Sequence, residues 1–253
     1  PVTECHVWCG KTWSGGERPT DTPPVPSYLH WDLWLGAAPA RPYHSIYQPA
    51  NWRRWWDFGS GTLGDMACHL MDLPFWALEL RHPNTVESQG PPVHPETTPP
   101  WMIVDYEFPA RGEAPPVKVT WYDGSKRPPL LAEAKLPKWD MGVLFVGKKG
   151  MLLADYGRRL LFPEDDYRDF TPPEPTIAAS IGHHAEWILA CKTGSPTTCN
   201  FDYSGALTEA VLLGNVAYRL GQKIEWDAKN LKVTNSSNAD QYIQREYRKG
   251  WEI

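Results

Sequence analysis

The sequence predicts an α+β fold, with an open, mixed and largely antiparallel β-sheet and helices on one of its faces. Three observations predict it. Strand-like runs fill the middle of the chain, two long helical segments follow them, and no regular strand–helix alternation is present. Strands this closely spaced pair antiparallel, because a parallel crossover needs about a dozen residues or more. With 253 residues, the chain is long enough to bury one proper core.

Taken in order, Val2-Thr3-Glu4-Cys5-His6-Val7-Trp8 reads as a strand with no lead-in, and the chain opens on Pro1, so it is expected to be part of a longer protein. Gly15 to Pro26 is proline-rich turn chemistry, and Trp31 to Gly36 is a helical turn closed by glycine. Residues 37–51 form a long loop rich in Pro, Tyr and His. A helix starts near Gly61-Thr62, with Ser60 or Thr62 as its cap, and Pro74 ends or kinks it, leaving a last turn to Glu79. Strands are expected over 84–89, 101–108, 116–122, 142–147 and 150–155, the last two joined by a Lys148-Lys149-Gly150 turn. A helix over 178–192 turns Ile181, Ala185, Ile188 and Leu189 inward. A second, over 203–220, buries Leu207, Ala210, Val211, Gly214 and Tyr218. Ile224 to Asp227 adds a short strand before a polar tail. If the far face of the sheet is as apolar as Val104, Tyr106 and Val119, a second copy of the chain is its expected lid.

A net charge of -5 and a pI near 5.9 argue against a nucleic-acid surface. No run of eighteen apolar residues predicts a membrane span. Five cysteines without a CxxC pair form no disulfide framework and no recognisable metal set, and both cytoplasm and bacterial periplasm fit. Fourteen tryptophans supply broad apolar faces that either pack a core or stack on sugar rings.

Chemistry concentrates between residues 51 and 76. At 100° per residue, Asp65, His69, Asp72 and Trp76 fall within an arc of about 60° on one helix face, while Leu63, Met66, Ala67, Leu70, Leu73 and Ala77 point mostly elsewhere. An imidazole flanked by carboxylates suits proton transfer near neutral pH, although an exposed ion pair or, less well, a metal site uses the same spacing. Trp52, Trp55, Trp56 and Phe58 precede this helix as a candidate pocket wall. Gly59-Ser60-Gly61-Thr62-Leu63-Gly64 matches G-x-G-x-x-G, yet no strand precedes it and Asp65 would set a negative charge beside a pyrophosphate. The glycines are therefore read as a tight lead into the helix.

The runs Trp31 to Pro39, Asn51 to Arg53, Trp55 to Gly61 and Gly64 to Asp72, with Trp121-Tyr122-Asp123-Gly124 and Tyr247 to Trp251, closely resemble the glucose-fructose oxidoreductase/inositol dehydrogenase (Gfo/Idh/MocA) family. The resemblance implies that residues 1–253 are a substrate-binding and oligomerisation domain, an open sheet like the C-terminal domain of glyceraldehyde-3-phosphate dehydrogenase. The N-terminal Rossmann domain that binds NAD or NADP would lie outside this chain, which alone would turn nothing over. It also implies His69 as the acid-base group at a hydroxyl of a sugar, glycoside or polyol, oriented by Asp65, with a homo-oligomer formed through the sheet face. Family members that cleave glycosides with NAD retained, and a non-catalytic carbohydrate-binding module, are the alternatives. Arg53, Trp55, Asp72, Tyr122, Asp123, His183 and His184 are further candidates for binding substrate.

Overall fold

A computed structural model describes residues 1–252 and shows one nine-stranded sheet. Its strands are β1 (Val2–Cys9), β2 (Thr85–Gln89), β3 (Ile103–Phe108), β4 (Val117–Asp123), β5 (Met141–Gly147), β6 (Gly150–Ala154), β7 (Arg159–Phe162), β8 (Ile224–Asp227) and β9 (Lys232–Val233). They lie in the order β7-β6-β5-β1-β4-β3-β2-β8-β9. Only β1 and β4 run parallel among the described residues; every other neighbouring pair is antiparallel. The expected mixed, largely antiparallel sheet is therefore present, with β1 an interior strand between β5 and β4.

The helices are α1 (Trp31–Leu35), α2 (Gly61–Ala77), α3 (Leu130–Glu133), α4 (His183–Thr193), α5 (Phe201–Leu220) and α6 (Asp240–Ile243). Helices α2 and α5 pack side by side on one sheet face, over Cys5, Val7, Val104, Tyr106, Val119 and Trp121, all fully buried. Period-two alternation makes these six residues one face, since Cys5 pairs with Val119 and Val104 with Trp121. Here the sequence reading of the far face is corrected. Val104, Tyr106 and Val119 lie under the helices, and the opposite face carries Glu4, His6, Asp105, Lys118 and Thr120. A one-residue change of parity moves every side chain across a sheet, so the apolar argument for a second copy on that face falls away. Only one end of the far face is apolar, where Trp8, Tyr122, Leu144 and Leu153 pack with Leu131 of α3.

Helix α2 buries Leu63, Met66, Ala67, Leu70, Met71 and Phe75, whereas Leu73 and Ala77, expected inside, are exposed. Pro74 lies within the helix, which continues to Ala77 because the tertiary contacts of Phe75 outweigh one lost backbone bond. Asn200 caps α5 by accepting from the backbone N–H of Tyr203 at 3.0 Å, and Gly221 closes it in the left-handed region. Gly214 lets α5 approach the sheet, since a Cβ there would lie 2.7 Å from both Leu63 Cδ2 and Tyr106 Oη. Gly214→Ala should cost about 1–3 kcal/mol by overpacking, although alanine is the better helix former; urea melts of the two chains measure it.

Helix α4 departs from its expectation. It starts at His183 rather than 178, after Gly182 at φ 91°, and none of its residues is buried. Ile181, Ile188 and Leu189 point to solvent because no sheet surface lies opposite them. No helix of the described residues is long and apolar enough to cross a membrane. All five cysteines are free.

Candidate active site

The polar stripe of α2 opens onto a cavity of about 830 Å³, between α2, the N-terminal end of α4 and the segment leading into α5. His69, Asp72 and Trp76 supply its α2 wall, His183 reaches it from α4, and Asn200 and Tyr203 line the opposite side. His69 and Trp76 are exposed, as groups that meet a ligand must be. Tyr203 donates its hydroxyl to Asp72 Oδ1 at 2.7 Å and to the Asp72 carbonyl at 3.2 Å, tying α5 to α2. Burial and this carboxylate push the Tyr203 phenol up, so it stays a donor. Thr197, Thr198 and Ser204 add hydroxyls to the wall, giving a surface that can hydrogen-bond a polyhydroxylated ligand.

A neighbouring trough of about 650 Å³ shares Tyr156 with this cavity. Its floor is apolar, from Leu73, Ala77, Phe145 and Leu152, and it brings no acid or base beside His69.

Asp65 does not face the imidazole. Its Oδ2 accepts from Trp13 Nε1 at 2.6 Å and its Oδ1 from Arg53 Nε at 2.8 Å. The Arg53 guanidinium lies over the Trp52 ring at 4.5 Å and Trp13 at 5.5 Å. Arg53 is thus committed to Asp65 and two indoles, not presented to the cavity.

Other sequence candidates lie elsewhere. Trp55 is 1% exposed and packs edge-on against Tyr47, inside an aromatic knot that also includes Phe58 and the Arg41 guanidinium, so no ligand reaches its ring. Tyr122 is on the far face of the sheet, its hydroxyl 3.2 Å from His6 Nδ1. Asp123 is 2% exposed. Its Oδ1 accepts from the Met102 N–H at 2.6 Å and its Oδ2 from Trp121 Nε1 at 3.0 Å, so it clamps β4 to the start of β3. Burial outweighs those donors and pushes its carboxyl up to about 6. His184 lies against His183 with the rings tilted at 46° and their centroids 4.1 Å apart, but only His183 reaches the cavity. Of the candidates, the structure brings together His69, Asp72 and His183 and disperses the rest. Tyr203 was missed: in the sequence it is one more residue in the first turn of a helix, and nothing local marks it as a partner of Asp72.

The glycine run does not have the shape of a dinucleotide cradle. Asn51 to Arg54, before the glycine run, form a 3-10 turn rather than a strand. A Cβ on Gly59 would meet the Arg53 backbone at 2.6 Å, on Gly61 Thr98 at 2.7 Å and on Gly64 Ser60 at 2.4 Å. The protein itself fills the space a pyrophosphate needs. No set of three or more metal-ligating side chains is present among the described residues.

Residues 4–113 match the family model described as the oxidoreductase family, C-terminal alpha/beta domain. Over that span, less than half of the chain, the sequence is similar to the C-terminal domains of the Gfo/Idh/MocA oxidoreductase family. No curated protein matches the sequence. Among solved structures, the chain is similar to the WlbA dehydrogenase from Chromobacterium violaceum, in complex with NADH and UDP-GlcNAcA, at 12% identity and a TM-score of 0.50. The likeness covers 90% of this chain and 55% of that one. A protein from Bordetella bronchiseptica RB50 described as a dehydrogenase is similar at 10% identity and a TM-score of 0.47, with 89% of this chain and 62% of that one covered. The likeness to the first of these shows the fold alone, and the chain spans about 55–62% of the length of the two proteins.

Proposed function

We propose that this chain is the substrate-binding part of an NAD(P)-dependent oxidoreductase that acts on a CH–OH group of a sugar, glycoside or polyol. One observation carries the reading: His69 opens onto a hydroxyl-rich cavity beside a carboxylate and an exposed indole. His69 exchanges the hydroxyl proton, Trp76 offers a face to the ring of the substrate, and the hydroxyls and Asn200 hold its orientation. The redox half, which NAD or NADP supplies, belongs to a dinucleotide-binding domain outside this chain, because the glycines here leave no cradle for it. The family match supports the oxidoreductase class, and a fold-level neighbour solved with NADH and a sugar nucleotide agrees with it.

Titration of the chain with glucose, myo-inositol and octyl glucoside, followed by tryptophan emission, tests the binding half of the reading. At least one ligand should quench or shift the emission at millimolar concentration, and Trp76→Phe should remove most of that change. If none of the three moves the emission, the carbohydrate reading fails.

A further inference from the structure

The two acids that flank His69 on α2 are held in chemically different ways. Both oxygens of Asp65 are engaged, one by the Arg53 guanidinium at 2.8 Å and one by Trp13 Nε1 at 2.6 Å. A guanidinium at that distance offsets the carboxylate charge, and Asp65 is not part of the wall on which His69 lies. Asp72 shares that wall with His69, three residues along the helix, where i,i+3 side chains are neighbours. Its only side-chain partner among the described residues is the neutral Tyr203 hydroxyl, at 2.7 Å. A phenol fixes a carboxylate in place and leaves its negative charge whole.

We propose that Asp72, not Asp65, is the carboxylate that stabilises the imidazolium of His69, and that Tyr203 positions it. The assignment rests on reading His69 as the acid-base group. The titratable groups facing His69 are Cys68 and Asp72 on α2, His183 on α4, Cys199 before α5, Tyr203 on α5 and Tyr156 between β6 and β7. Asp72 is the single carboxylate among them. Trp13 and Arg53, by the same geometry, keep Asp65 away from the imidazole and fix the loop that carries Arg53.

NMR titration of the imidazole C–H signals in the intact chain tests this, with His69 assigned by its loss in His69→Gln. Removing a neighbouring carboxylate disfavours imidazolium, so Asp72→Asn should lower the His69 midpoint by about half a pH unit or more, and Asp65→Asn by less than about 0.2. Tyr203→Phe, which frees Asp72 to turn away from the imidazole, should lower the midpoint while Asp72 is present and leave it unmoved in the Asp72→Asn background, because the phenol acts only through that carboxylate. A larger effect of Asp65→Asn, or the same Tyr203→Phe shift in both backgrounds, overturns the assignment. Should Asp65→Asn not fold without its ion pair, Asp72→Asn against the parent chain decides: an unmoved midpoint overturns it. The titration needs no turnover, so a chain that binds no polyol yet shows these shifts separates the failure of the functional reading from that of the assignment.

Discussion

Alanine at His69 should lower kcat about 10²- to 10⁴-fold, the range for losing a general acid-base group. The measurement belongs to the protein in which this chain is joined to a dinucleotide-binding domain, followed by NADH absorbance with a polyol or sugar as reductant. The fold should be untouched, since His69 is exposed and surface substitutions usually stay within about 0.5 kcal/mol. A loss of turnover with an unchanged urea midpoint therefore isolates chemistry from stability. Turnover within a factor of two of the parent would reject His69 as the proton-transfer group.

Asp123→Ala should be among the most destabilising substitutions in the sheet, at about 2–5 kcal/mol near pH 4.5, because it orphans two buried donors at about 1–3 kcal/mol each. Those donors are the Met102 N–H and Trp121 Nε1, and no water reaches a residue that is 2% exposed. The cost is pH-dependent, and its sign follows from linkage. Burial raises this carboxyl from 3.8 to about 6 in the folded chain. A raised folded-state value means that the contribution to stability is complete below about pH 3.8 and is lost as pH rises through about 6. The shift corresponds to about 3 kcal/mol at most. The parent bears this cost at pH 8 and the alanine variant does not, so the gap between them should narrow with rising pH. Urea melts at about pH 4.5 and pH 8 measure both arms, and a gap that widens at pH 8 would contradict a buried, proton-raised Asp123.

The elements that could be read from the sequence were those whose signals are local. Helix α2 begins within the glycine run, at Gly61, α5 follows Asn200 and stops at Gly221, and the β5–β6 hairpin turns at Lys148-Lys149 as its residues require. What the sequence hid depends on distant partners. Strand β7 is short and pairs only with β6, and α4 carries an apolar stripe with nothing opposite it. Val104, Tyr106 and Phe108 alternate with Asp105 and Glu107 and so mark one apolar face, but the alternation does not say on which side of the sheet the helices lie, and that is where the reading of Val104, Tyr106 and Val119 goes wrong. In the site, helical periodicity brought His69, Asp72 and Trp76 to one wall. It could not show that Asp65, on the same face, turns to Trp13, 52 residues away, and to Arg53 on the 3-10 turn before the helix. Trp55 shows the opposite limit, since an aromatic-rich loop looks alike whether its rings face a ligand or one another.

The placement of β1 has a kinetic consequence. Strand β1 is synthesised before its neighbours β4 and β5, whose residues begin at Val117 and Met141, so it stays unpaired until more than a hundred further residues have been translated. Closure over such separations is slow, and an idle strand bearing Val7, Trp8 and Cys9 is a hazard for association with other nascent chains. Deleting it would not trim an edge. It would leave β7-β6-β5 and β4-β3-β2-β8-β9 as two separate ribbons with a seam of bare amides and carbonyls between them.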